Sequence, residues 1–190
     1  MPGPPVIYRP SGRYWVAWQK RYFPTSIKTS DLRGQFRTGV EAFIKALQAA
    51  GATVKIDETY RSKQAHYLFR WSYKIAKGTA RPKDPPPFTG IHIQWDHGNL
   101  ASSIRGAQEM VDGFEVVFEP GVTTRHFDGK AIDMKITWTK SPFRVQMANG
   151  NFVEVPSVPA KFNTVLHYVG ETYGVKKLKK DGPHWSEDGH

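Results

Sequence analysis

The chain contains no cysteine, which excludes disulfides, a thiolate nucleophile and every cysteine-ligated zinc site at once. Any metal must then be held by histidine and carboxylate side chains. There is no apolar run approaching the ~20 residues that cross a bilayer, so no membrane span is expected. The opening residues Met1-Pro2-Gly3-Pro4-Pro5 offer neither a basic stretch nor an apolar segment, so no signal peptide is read and synthesis in the cytoplasm is expected.

What is present points to a folded protein. A length of 190 residues suits one ordinary domain, and 39% hydrophobic residues with 13% aromatics can supply a core. The 27 Lys+Arg against 17 Asp+Glu leave a net charge of +10. That balance favours encounter with a polyanion, whether nucleic acid, an anionic membrane or an acidic bacterial envelope, and charge alone does not choose among them.

Residues 1–37 mix proline, aromatic and basic side chains without clear periodicity, and read as an extended N-terminal arm packed on a domain spanning 38–190. Val40, Phe43, Ile44 and Leu47 repeat as a helix does, and Gly51 stops them. Residues 53–59 alternate like a strand. A second helix is expected from Ser62 to Ala76, with Gly78 past its end, followed by a long Pro-rich loop over 79–99. A short helix at 100–111, strands at 114–118 and 131–138, a hairpin around Asn149-Gly150 and a helix from Pro159 to Tyr173 complete the pattern. There is no internal repeat. The fold class is α+β, a single domain of helices packed on a small antiparallel sheet.

Two segments carry chemistry. In Thr124-Arg125-His126-Phe127-Asp128-Gly129-Lys130-Ala131-Ile132-Asp133, a histidine and an aspartate flank a glycine turn that leads into a strand. Gly129 can bend the chain so that both side chains reach one point, and Ala131 leaves the approach uncrowded. In Asp181-Gly182-Pro183-His184-Trp185, Gly-Pro rules against a continuing helix. His126, Asp133 and His184 then offer three N/O ligands with a fourth position free for water, the layout of a catalytic zinc site. Such a site needs a carboxylate to take the water's proton and pass it to the leaving amine, and Asp181 is placed for that role.

These segments resemble the VanY/VanX-type zinc D-Ala-D-Ala carboxypeptidases and the related L-alanyl-D-glutamate endopeptidases of phage lysins. Their Ser-x-His-x-x-Gly-x-Ala-x-Asp pattern, followed downstream by carboxylate-x-x-His and often Trp, is met by Thr124 to Asp133 and Asp181 to Trp185. The departure is Thr124 for serine, which keeps the hydroxyl. An aspartate at the base position looks more like the endopeptidase branch. Tyr60-Arg61-Ser62-Lys63-Gln64 is similar to the family's Tyr-Arg-Ser…Gln motif at a helix start. The resemblance implies zinc as cofactor, a role for Arg61 on a substrate carboxylate or oxyanion, and substrate contacts from Ser62, Gln64, Thr124 and Trp185. It covers about residues 55 to 185, and implies a monomer hydrolysing stem peptides or crossbridges of bacterial peptidoglycan. Such a protein reaches the wall by a phage lysis system or a secretion apparatus, and could have an immunity protein as partner; no nucleic acid is expected.

The remaining polar residues have plainer readings. His92, Asp96 and His97 form a second cluster in the long loop, expected to be satisfied locally or solvent-facing, and His66 and His167 default to packing. Lys176-Lys177-Leu178-Lys179-Lys180 reads as a solvated run that could draw an anionic wall toward the cleft. The rival function is a basic binding domain, for nucleic acid or cell wall, on the same zinc fold without turnover; a carboxylate at position 181 speaks against it.

Overall fold

The structure is a computed structural model and describes residues 6–190. In chain order its elements are β1 (Arg9–Pro10), α1 (Arg13–Tyr22), α2 (Gly34–Ala49), β2 (Thr53–Glu58), α3 (Lys63–Ala76), β3 (Ile93–Gln94), α4 (Leu100–Phe114), β4 (Ala131–Thr137), β5 (Phe143–Gln146), β6 (Phe152–Val155), α5 (Thr164–Thr172), β7 (Lys176–Lys177) and β8 (His184–Ser186). Short 3-10 turns lie at Thr29–Asp31, Arg125–Asp128 and Ala160–Phe162. The class is mixed α and β; the β1-β3 pair is parallel and the other two sheets are antiparallel. No helix among the described residues is long and apolar enough to cross a membrane.

The chain divides into two compact units, one holding residues up to Thr25 together with Arg61–Val122, the other Ser26–Tyr60 together with Thr123–His190. Each has its own buried cluster. Of the extended arm expected over 1–37, residues 1–5 lie outside the described residues, and Arg13–Tyr22 is helical, with Trp15, Trp18 and Gln19 on the buried face of α1. The helical stripe escaped a hydrophobicity reading because one of its members is polar. Gln19 is buried with its amide donating to Phe23 O at 2.7 Å, which satisfies the group and removes the cost of hiding it.

In the first unit α1, α3 and α4 surround Trp15, Trp18, Leu68, Ile75 and Met110. Ser62 caps α3, its Oγ accepting from Ala65 N at 3.1 Å, one of the orphan amide groups of a helix start. The long Pro-rich loop is pinned by Tyr67, which donates to Pro86 O at 2.9 Å and accepts from Trp95 Nε1 at 3.2 Å. The strand expected at 114–118 does not form. Phe114 belongs to α4, and Glu115 ends that helix in the left-handed region at φ 57°, with Val116 N returning to Val111 O at 3.1 Å.

In the second unit a four-stranded antiparallel sheet has the order β2-β4-β8-β7. Ile132, Met134 and Ile136 of β4 alternate into the core, where they meet Val40, Phe43 and Leu47 of α2 and Leu166 and Val169 of α5. Asp133 consequently lies on the opposite face of the strand. Gly39 lets the α2 backbone approach closely: a Cβ there would stand 2.0 Å from Tyr173 O. The Asn149-Gly150 hairpin joins β5 to β6 as expected. The helix expected from Pro159 is broken by Asn163, which caps α5 through Leu166 N at 3.0 Å and leaves Ala160–Phe162 as a separate 3-10 turn.

Candidate metal centre

Three features of the second unit bring the ligand candidates together. Thr124 opens the 3-10 turn at Arg125–Asp128, its Oγ1 accepting from His126 N at 3.4 Å. Gly129 closes the turn at φ 64° and ψ 33°; a Cβ there would stand 2.6 Å from Asp31 O, so conformation and space both require glycine. The chain then enters β4, where Asp133 sits directly opposite His184 of β8. Cross-strand partners share a face, so the two side chains meet, and the turn delivers His126 to them.

The inner atoms form a nearly equilateral triangle. His126 Nε2 lies 3.3 Å from His184 Nδ1 and 3.3 Å from Asp133 Oδ1, and His184 Nδ1 lies 2.9 Å from Asp133 Oδ1. Tetrahedral bonds of about 2.0–2.1 Å separate neighbouring donors by about 3.3–3.4 Å, so one face of such a polyhedron is already assembled. The group is buried and could hold a metal ion; His126 is 2% exposed and His184 6%.

The outer ring nitrogens fix which lone pairs face inward. His126 Nδ1 stands 3.3 Å from Thr59 O, and His184 Nε2 stands 3.2 Å from His190 O. A carbonyl can only accept, so each outer nitrogen is the protonated one, leaving His126 Nε2 and His184 Nδ1 as ligand atoms. The tail that presents His190 O is itself tied, since Gly189 N donates to Ser186 Oγ at 2.9 Å and Asp188 pairs with Arg125.

Burial alone would raise the Asp133 carboxyl, but in the metal-free site, when the inner ring nitrogens also carry protons, hydrogen bonds from His126 and His184 and their positive charge outweigh it and hold the group well below the usual carboxylate range. The site thus keeps a buried anion ready for a cation.

Asp181 stands on the turn before β8, three residues ahead of His184. It is half-buried and does not join the triangle of ligand atoms. Trp185, expected at the substrate, is 1% exposed and packs in the core against Phe43 and edge-on to His167; strand alternation turns it away from the face of His184. Thr124 uses its hydroxyl to steady the ligand-bearing turn.

Arg61, Ser62 and Gln64 belong to the first unit. Ser62 is the α3 cap described above. Gln64 is half-buried on the first turn of α3. Arg61 Nη1 lies 3.5 Å from His66 Nδ1, and its guanidinium lies 5.3 Å from the Phe69 ring centre.

The loop cluster makes no second centre. His97 Nε2 bonds Ser11 Oγ at 3.0 Å, Asp96 pairs with Lys83 at 3.5 Å, and the His92 ring meets the Tyr8 ring at a tilt, their centres 5.0 Å apart. Among the described residues no other trio of histidines and carboxylates converges as the first does.

Sequence reasoning missed three contributors. The Thr59 and His190 carbonyls are backbone groups and carry no residue-type signal. Lys177 is hidden within a lysine run, yet it is 8% exposed and its ammonium donates to Leu178 O at 2.7 Å, His184 O at 2.8 Å and Asp181 O. Burial pushes its pKa down to about 8. No protein-family profile and no curated protein matches the chain.

Proposed function

We propose that the protein is a zinc-dependent peptidase acting on the peptide stems or crossbridges of bacterial peptidoglycan. The observation that carries this reading is the triangle of His126 Nε2, Asp133 Oδ1 and His184 Nδ1 with edges of 2.9 to 3.3 Å. Three protein ligands with no fourth are what a hydrolytic zinc site uses, and a structural site would be closed by another side chain. The nitrogen-rich donor set suits zinc, although other divalent ions share the preference for imidazole.

When bound, zinc polarises a scissile carbonyl and makes water acidic near neutral pH. The chain supplies the rest. Asp181 takes the water's proton and returns it to the leaving amine, the task of a general base that becomes a general acid. The sequence resemblance gives Arg61 the role of a guanidinium fork for a substrate carboxylate or oxyanion. The wall as substrate is supported by the sequence resemblance and by the charge of +10, which favours an acidic polymer. A basic binding domain for nucleic acid or cell wall on the same zinc-binding fold, without turnover, is the rival, and it gives Asp181 no task.

Mass spectrometry of muropeptides from purified sacculi tests the reading. Zinc-loaded protein should release new amine termini at one type of peptide bond and chelator-treated protein should release none. Intact sacculi together with degradation of a generic protein substrate would contradict a wall peptidase.

A further inference from the structure

Within the basic run, Lys177 is set apart by its surroundings. It pairs with Trp185 across β7 and β8, and its Nζ lies 5.5 Å from that indole ring centre. An ammonium has three N–H donors, and here all three find backbone carbonyls, those of Leu178, Asp181 and His184. The same three residues close a ring of backbone bonds: Leu178 N donates to His184 O at 3.2 Å, Asp181 N to Leu178 O at 3.2 Å and His184 N to Asp181 O at 3.3 Å.

Those amide bonds are long for N–H···O contacts, whereas the ammonium bonds of 2.7 and 2.8 Å to Leu178 O and His184 O are short and charge-assisted. The turn is therefore wrapped around the lysine head more firmly than it is bonded to itself. Its backbone carries both Asp181 and the ligand His184. A buried ammonium whose partners are all carbonyls is a costly way to fill space, and an apolar side chain of equal length would leave the turn with only its long bonds.

We propose that Lys177 is a positioning residue of the metal centre: its ammonium organises the 178–184 turn, which carries Asp181, so that His184 meets His126 and Asp133. The inference rests on the metallopeptidase reading above and adds a residue to it.

The absence of other cysteines permits a clean test. Lys177→Cys can be alkylated while unfolded and then refolded, either with 2-bromoethylamine, which rebuilds an ammonium of lysine's length, or with 1-iodopropane, which gives an apolar chain of the same length. Zinc affinity is read by competition with a chromophoric chelator, folding by circular dichroism, and turnover on the zinc-loaded forms. The propyl form should keep the fold and bind zinc about 10–100-fold more weakly, while the aminoethyl form returns to within about threefold of the parent. Turnover should follow the same order. Equal affinity in the two alkylated forms, high or low, would overturn the inference and leave the parent's zinc site standing; a parent that takes up no zinc would remove the metal reading itself and this inference with it. Should the propyl form fail to refold, nitrogen-labelled lysine in the parent decides. A slowly exchanging Lys177 ammonium coupled to the 178, 181 and 184 carbonyls supports the role, and an ammonium in fast exchange with water overturns it.

Discussion

His126 Nε2 and His184 Nδ1 stand 3.3 Å apart with no side chain between them. Two imidazole nitrogens at that distance cannot both direct protons at each other, so an inner proton points to the facing nitrogen or to Asp133 Oδ1, unless a cation takes its place. Because Thr59 O and His190 O occupy the outer nitrogens, a proton on the inner side makes an imidazolium, while a metal leaves both rings neutral. Metal uptake should therefore release protons and strengthen with rising pH.

The metal-free protein should show the reverse side of this arrangement at Asp133. Its folded carboxyl is held below its ordinary value of 3.8, so the stability it contributes is fully present above 3.8 and lost as pH falls further toward the depressed native value. Asp133→Asn removes that contribution. Urea titrations after chelation should find the variant less stable than the parent at pH 7, with the gap narrowing below the ordinary carboxylate value; a gap that widens in acid would contradict the assignment.

Asp181→Asn separates base from ligand. Asp181 lies outside the triangle, so zinc content should survive while turnover falls by roughly 10²–10⁴. Loss of the metal would make Asp181 a ligand, and a rate within a few fold of the parent would make it a surface charge.

Arg61→Lys should leave zinc binding unchanged and lower turnover by roughly 10²-fold, because a point charge does not reproduce the guanidinium fork. An unchanged rate on wall fragments would return Arg61 to its local contacts with His66 and Phe69.

Gly129→Ala tests the turn that delivers His126. A side chain at φ 64° costs about 1–2 kcal/mol, and the approach to Asp31 O adds to it. Thermal unfolding should show a loss of at least that size together with weakened zinc binding, whereas Gly150→Ala, with nothing within 4 Å, should lose stability with zinc affinity unchanged. Zinc affinity equal to the parent's in Gly129→Ala would show that the turn does not position the ligand.

Much of the site was legible because its chemistry is carried by side-chain type. His126, Asp133 and His184 are the kinds of residue a cysteine-free metal centre requires, and Gly129 marks the bend between two of them. α2, α3 and the Asn149-Gly150 hairpin were legible for a similar reason, since period and turn residues agree with the packing. α1 was not, because buried Gln19 interrupts its apolar stripe, and the 114–118 segment was misread because a run of Val and Phe is strand-like until Glu115 turns the chain out of α4. Trp185 and Ser62 show the limit of motif reasoning: both stand where the pattern puts them, but one fills the core and the other caps a helix. Lys177 was hidden because composition cannot tell which lysine in a run of four turns inward.

Zinc per chain, measured after metal loading and gel filtration in the parent, His126→Ala and His92→Ala, tests the central claim most directly. The account predicts one equivalent in the parent and in His92→Ala, whose histidine lies outside the ligand group, and well below one in His126→Ala. Equal occupancy in the two variants, or a parent without zinc, would contradict it.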